Sequence, residues 1–145
     1  MIPGSEIKNI LVEVAKNDPI LGIIPEIKKD EHAPVKEGSV KERVVIVLPG
    51  GVDNGQLSKS FPRMCIYVPD LKEVDGKTTY YKPNGIRLAE IERHCTERFR
   101  SAVYGNHNGE VYLFGIDDIN TENDPETWST FLNVRLRFEV VNTKL

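Results

Sequence analysis

Sulfur is scarce in this sequence: 145 residues hold two cysteines and two methionines. Cys65 and Cys95 show no CxxC spacing, so the chain encodes neither a zinc knuckle nor a thioredoxin-type redox pair. Cys65 falls in a strand pattern and Cys95 in a helix pattern, which reads as two buried free thiols in a reducing compartment. Long apolar runs are missing as well. None approaches the roughly 20 residues of a membrane span. The opening Met1, Ile2, Pro3, Gly4, Ser5 has no charged start followed by an apolar stretch, so a secretory leader is not expected. The net charge of −3 provides no broad basic field, which argues against phosphate-driven nucleic-acid binding as the main task. Nucleotide signatures are absent. Pro49, Gly50 and Gly51 follow a strand pattern, but neither GxxxxGK(S/T) nor GxGxxG is present and no helix follows at once, so residues 49–56 read as a loop.

The clearest pattern that is present runs through residues 128–140. Trp128, Thr130, Leu132, Val134, Leu136, Phe138 and Val140 alternate with Ser129, Phe131, Asn133, Arg135, Arg137 and Glu139. Successive strand side chains point to opposite faces, so this is a strand with one apolar and one mostly polar face. At about 3.3 Å per residue it runs on the order of 40 Å, longer than most strands. The excess is expected to overhang the sheet and meet a neighbouring subunit.

Upstream, Ser5 reads as a cap. Ile7, Ile10, Leu11, Val14 and Ala15 follow at helical spacing. Asp18 and Pro19 suit the cap and first position of a short turn through Ile20 and Leu21, closed by Gly22 and Pro25. Residues 26–42, rich in Lys and Glu, read as an exposed connection or a poorly patterned edge strand. Residues 43–48 form an unbroken β-branched run, a central strand buried on both faces. Met64, Ile66 and Val68 alternate with Cys65 and Tyr67 in a second strand that ends at Pro69. Residues 70–83, an exposed loop, carry the hairpin signal Asp75-Gly76. Leu88, Ile91, Cys95, Phe99 and Ala102 mark a second amphipathic helix from Asn84, with Gly105 as its left-handed end. Residues 111–116 make a third strand, and 117–125 a polar loop. The order α-β-β-α-β-β predicts one α+β domain over residues 1–145. Its architecture is a two-layer sandwich, with a mainly antiparallel four-stranded sheet and both helices on one face.

Candidate chemistry is thin. His94 and Cys95 are adjacent on a helix and diverge, so they cannot share a metal, and Cys95 lies on the buried stripe rather than in an exposed nucleophilic site. Asp117 and Asp118, with Glu122 and Asp124 nearby, lack the spacing of a calcium loop and read as a solvated acidic turn. Arg135, Arg137 and Glu139 share one strand face. They form either a wet row of cross-strand charge pairs or a surface turned toward a partner or channel. No catalytic, cofactor or metal residue is assigned.

This layout resembles the tail terminator, or tail-completion, family of long-tailed bacteriophages and prophages. The resemblance lies in the N-terminal helix, the turn Asp18-Pro19-Ile20-Leu21-Gly22-Ile23, the strands at 43–48 and 64–68, the single helix at 84–104 and the final alternating strand with Arg135, Arg137 and Glu139. It implies a non-enzymatic assembly protein without cofactors. Such a protein forms a ring, commonly hexameric, that caps the tail tube and meets the head connector. It would work in the bacterial cytoplasm during assembly and afterwards in the virion tail, with no membrane or sequence-specific nucleic-acid partner. The residues implied in contacts are Arg135, Arg137 and Glu139 and the loops 49–60 and 70–83. Two other classes compete: a small metal-dependent nuclease using Glu110, Asp117 and Asp118, and a small ligand-binding or regulatory α+β module.

Overall fold

A computed structural model describes residues 2–30, 36–49 and 59–141. The first helix, α1 (Gly4–Asn17), begins after Pro3, whose backbone is extended. Ser5 therefore lies inside the first turn and does not cap it. Ile7, Ile10, Leu11 and Ala15 are buried along one side. Asp18 ends α1 and caps the following 3-10 turn, Leu21–Ile23, by accepting the amide protons of Ile20 and Leu21, each at 2.9 Å. The turn is tight: a Cβ on Gly22 would lie 2.5 Å from the Lys16 carbonyl oxygen.

Among the described residues seven strands form one mixed, curled sheet, a half-barrel. They are β1 (Glu26–Lys29), β2 (Arg43–Val47), β3 (Lys59–Ser60), β4 (Arg63–Pro69), β7 (Val103–His107), β8 (Glu110–Asp124) and β9 (Ser129–Val141). The spatial order is β1-β2-β4-β9-β8-β7, with β3 also beside β9. Only β1 and β2 run parallel. A separate hairpin, β5 (Leu71–Asp75) with β6 (Thr78–Lys82), forms a two-stranded sheet of its own. The second helix, α2 (Gly85–Phe99), is capped by Asn84, whose side chain accepts the Arg87 amide proton at 3.2 Å.

This overturns the four-stranded, mainly antiparallel sandwich, and each missed strand has a physical reason. β1 is the poorly patterned edge strand, one of the two readings of residues 26–42; left out of the four-strand count, it needs little apolar pattern because it is short and lies at the edge. The 70–83 loop is largely the hairpin, which contributes no residue to the core. β7 occupies the segment expected to finish the helix, and Gly105 is a strand residue rather than a helix end. Its missing side chain makes room for the Tyr112 ring, which crosses the position a Cβ would take. β8 continues through the acidic stretch expected to be a loop, with a register irregularity between Ile116 and Asp118. Trp128 does not open the last strand. It ends the 3-10 turn Pro125–Thr127 in the left-handed conformation (φ 50°). The proposed loop at 49–60 lies mostly outside the described residues; its end is β3.

The long strand β9 is not an overhang either. β8 pairs with it from Val111↔Val141 to Asp124↔Ser129, and β4 flanks residues 129–135 on its other side. It is a central strand, which is why its apolar face is so regular. Leu132, Val134, Leu136 and Phe138 are fully buried. They share one core with the stripes of both helices and with Val44, Ile46, Met64, Ile66 and Phe114. No helix among the described residues is long and apolar enough to cross a membrane.

Candidate functional site

The helices cover one face of the sheet. The register places Arg43, Val45 and Val47 of β2, Arg63, Cys65 and Tyr67 of β4, and Phe131, Asn133, Arg135, Arg137 and Glu139 of β9 on the other. Near the β5–β6 end this second face is apolar and tightly joined. Val45, Cys65 and Tyr67 are buried, with Phe131 stacked on Tyr67 at 4.6 Å. The Arg43 guanidinium lies 4.3 Å from the centre of the Tyr67 ring. Burial lowers the Arg43 pKa and pushes the Tyr67 hydroxyl up to about 12.

Toward the other end the face becomes charged, with cations of β3, β4 and β9 beside carboxylates of β8 and β9. Arg63 stands directly opposite Arg135 across the β4–β9 pair. The Arg135 guanidinium covers the Phe61 ring at 4.5 Å, and the Lys59 ammonium approaches the same ring at 5.8 Å. Asp117 reaches Arg135 at 3.3 Å, and Arg137 donates to Glu139 at 2.9 Å. Arg135, Arg137 and Glu139 therefore do share a face, as the alternation in sequence requires. They lie on the surface of a central strand, not at a sheet edge. Sequence reasoning missed Lys59, Phe61 and Arg63. The only signal for them was parity: Arg63 precedes Cys65 and Tyr67 by even steps, so it belongs to their face.

The open edge belongs to β8. β7 covers it only from Glu110 to Phe114, and no strand lies beside residues 115–124 on that side among the described residues. This edge carries Asp117, Asp118, Glu122 and Asp124. Asp117 pairs with Arg135, and Glu122 accepts a hydrogen bond from Asn133 Nδ2 at 3.0 Å.

No protein-family model matches the chain, and no curated protein and no solved structure matches it either.

The other residues singled out from sequence fall into structural roles. His94 Nε2 lies 2.7 Å from Oδ1 of Asp18, whose side chain is 1% exposed, and Arg98 Nε lies 3.7 Å from Oδ2. Cys65 and Cys95 are buried, and burial pushes their thiols up to about 11 and about 12. A thiol held protonated is a poor nucleophile. Native protein should therefore leave a thiol reagent uncoloured at neutral pH, and denatured protein should titrate for two thiols. Rapid labelling of native protein would contradict this. The sign of the linkage is fixed as well. Thiol pKa values raised on folding leave stability intact below about pH 9 and erode it as pH rises from there toward about 11–12.

The nuclease set does not converge. Glu110 and Asp117 lie seven residues apart on one strand, roughly 23 Å at strand rise, too far to share a metal. Among the described residues no three His, Cys, Asp or Glu side chains group as ligands.

Proposed function

We propose that this chain is a non-enzymatic assembly protein of a long-tailed phage or prophage, forming a ring that caps the tail tube and meets the head connector. In this reading it acts in the bacterial cytoplasm during assembly and in the finished tail. The observation that carries the reading is the open outer edge of β8. Among the described residues no strand pairs with the outer side of residues 115–124, while β9 holds their inner side. An uncovered edge of this length either pairs with another chain or invites aggregation.

The opposite end of the sheet is a different edge, the outer side of β1, with exposed Lys28 and Lys29. Acidic β8 and basic β1 are complementary but unlike. Copies joined by them associate head to tail, and such contacts close into rings when the rotation allows. The irregularity between Ile116 and Asp118 and the exposed carboxylates keep the edge from pairing indiscriminately. The hairpin β5–β6 supports the same reading. It exposes Leu71, Val74 and Tyr80, and a two-stranded ribbon alone is marginal in water. A neighbouring subunit supplies the cover it lacks.

The test is electron microscopy and light scattering of the protein with and without its tail tube. Rings capping tube ends are expected. Asp118→Lys combined with Glu122→Lys should abolish them while the melting temperature stays within a few degrees of the parent. Protein that remains monomeric and unbound in the presence of tubes would overturn the proposal.

A further inference from the structure

β7 ends the sheet: among the described residues no strand lies beyond it. Its hydrogen-bonding phase follows from the turn after it. Asn108 and Gly109, both at positive φ, join β7 to β8 through a two-residue loop, and the residues flanking such a loop, His107 and Glu110, bond to each other. Bonded and non-bonded pairs alternate along an antiparallel ladder. Val103 and Gly105 therefore also turn their backbone groups toward β8, and Tyr104 and Asn106 turn theirs outward. Neither of these two makes another backbone hydrogen bond among the described residues. The usual guards of an edge are missing as well: β7 holds no lysine, no proline and no bulge.

Beside this edge lies a cleft of about 430 Å³. Asn9, Glu13 and Asn17 line it from α1, in a row about 12 Å long at helical rise. Val103 and His107 line it from β7, about 13 Å apart at strand rise. Its apolar lining is Ile10, Val14, Val103 and Tyr112. The charges around it are matched: Arg98 lies 3.7 Å from Asp18, His107 3.6 Å from Glu6 and Lys16 3.8 Å from Glu13. The cleft therefore selects no net charge.

We propose that β7 and this cleft bind an extended, uncharged peptide segment of another protein, which joins the sheet as one more strand. The backbone decides the class of ligand. The N–H and C=O groups of Tyr104 and Asn106 repeat every second residue along the open edge, which is the repeat that another strand's backbone presents. Side chains set the rest. Alternate residues of the added strand stand level with Val103, Gly105 and His107 and enter the cleft. The central one meets the Tyr112 ring, which fills the space that Gly105 leaves, and is apolar. The residues between them stand on the opposite face beside Tyr104, whose side chain is 68% exposed and supplies a cross-strand aromatic contact. Ring formation is not required, since neither β1 nor residues 115–124 of β8 take part.

The test combines fluorescence anisotropy with amide hydrogen exchange. The full chain is mixed with labelled, end-capped heptapeptides in which valine, isoleucine or phenylalanine alternates with threonine. At least one peptide should bind and slow exchange in residues 103–107, with 115–124 unaffected. Methylating a peptide nitrogen that faces β7 should weaken binding about tenfold, and methylating the next nitrogen should have little effect, because only alternate amides pair. Tyr104→Pro removes an outward N–H that the β7–β8 ladder does not use and should weaken binding at least as much. Should that variant fail to fold, Tyr104→Ala should weaken binding about threefold at an unchanged melting temperature. Asp118→Lys with Glu122→Lys, the ring-breaking pair, should leave peptide binding unchanged, so the two proposals fail separately. Four results would each overturn this one: no peptide binds, methylation acts alike at every nitrogen, protection falls away from β7, or the protein self-associates through β7 and peptides do not compete. The last would assign the edge to a second copy of the chain.

Discussion

Phe99→Ala should destabilise the protein by about 3–5 kcal/mol, the cost of emptying a fully packed aromatic site. The side chain is completely buried at the end of α2. Its ring lies 5.9 Å from that of Phe114, which in turn stacks on Phe138 at 6.1 Å, with Tyr112 on Phe138 at 5.1 Å. A domain of this size has roughly 5–15 kcal/mol in total, so about a fifth or more of its stability is at stake, and urea denaturation will measure it directly. A loss below about 1 kcal/mol would mean that α2 is not seated on β8. Tyr104→Ala offers the contrast. That side chain is 68% exposed and should change stability by no more than about 0.5 kcal/mol.

Asp18→Ala should cost about 2–4 kcal/mol, large for removing so small a polar group. One oxygen, Oδ1, accepts from the amides of Ile20 and Leu21 and lies 2.7 Å from His94 Nε2. Asp18 thereby joins the end of α1, the 3-10 turn and α2. Loss of a cap costs about 1 kcal/mol, and buried donors left without an acceptor cost about 1–3 kcal/mol more. Asp18→Asn retains an acceptor for the two amides and should cost about half as much. Thermal and urea unfolding of the pair separates the roles. Equal losses in both variants would show that the carboxylate charge beside His94 and Arg98 matters more than the cap, and a negligible loss in the alanine variant would remove the junction altogether.

Both residues were visible in the sequence, for different reasons. Phe99 belongs to a stripe with Leu88, Ile91 and Cys95, and helical spacing alone makes such a stripe readable. Asp18 was legible as a cap because Pro19 follows it, but its contact with His94, 76 residues away, has no local trace. The sheet divides along the same line. β2, β4 and β9 are covered on both sides by neighbours, so their patterns are strong. Among the described residues β8 beyond Gly115 is held on one side only, and Asp117, Asp118, Asn120 and Glu122 can be polar there without cost. β7 was hidden because the helix pattern appeared to run on to Gly105. The turn that follows it was nevertheless written plainly: Asn108 and Gly109 both adopt positive φ, the ordinary preference of an Asn-Gly hairpin. At the charged end of the second face, Arg135 and Arg137 followed from alternation within one strand. Arg63 and Phe61 did not, because register between strands distant in the chain is decided by tertiary packing.

The central position of β9 has a kinetic consequence. It is made last among the described strands, yet it joins β1-β2-β4 on one side to β8-β7 on the other. Roughly 60 residues separate the end of β4 from its start, or about 3–12 s of synthesis at typical ribosomal rates. At the end of that interval, once β8 is complete at Asp124, the strands on either side of the β9 position have both been made and their inner edges are both bare. Completion is an insertion of one strand between them, dominated by contacts distant in sequence, and such topologies fold slowly. The most vulnerable moment for this protein is therefore before release, when the seam awaiting β9 is open to any other extended strand.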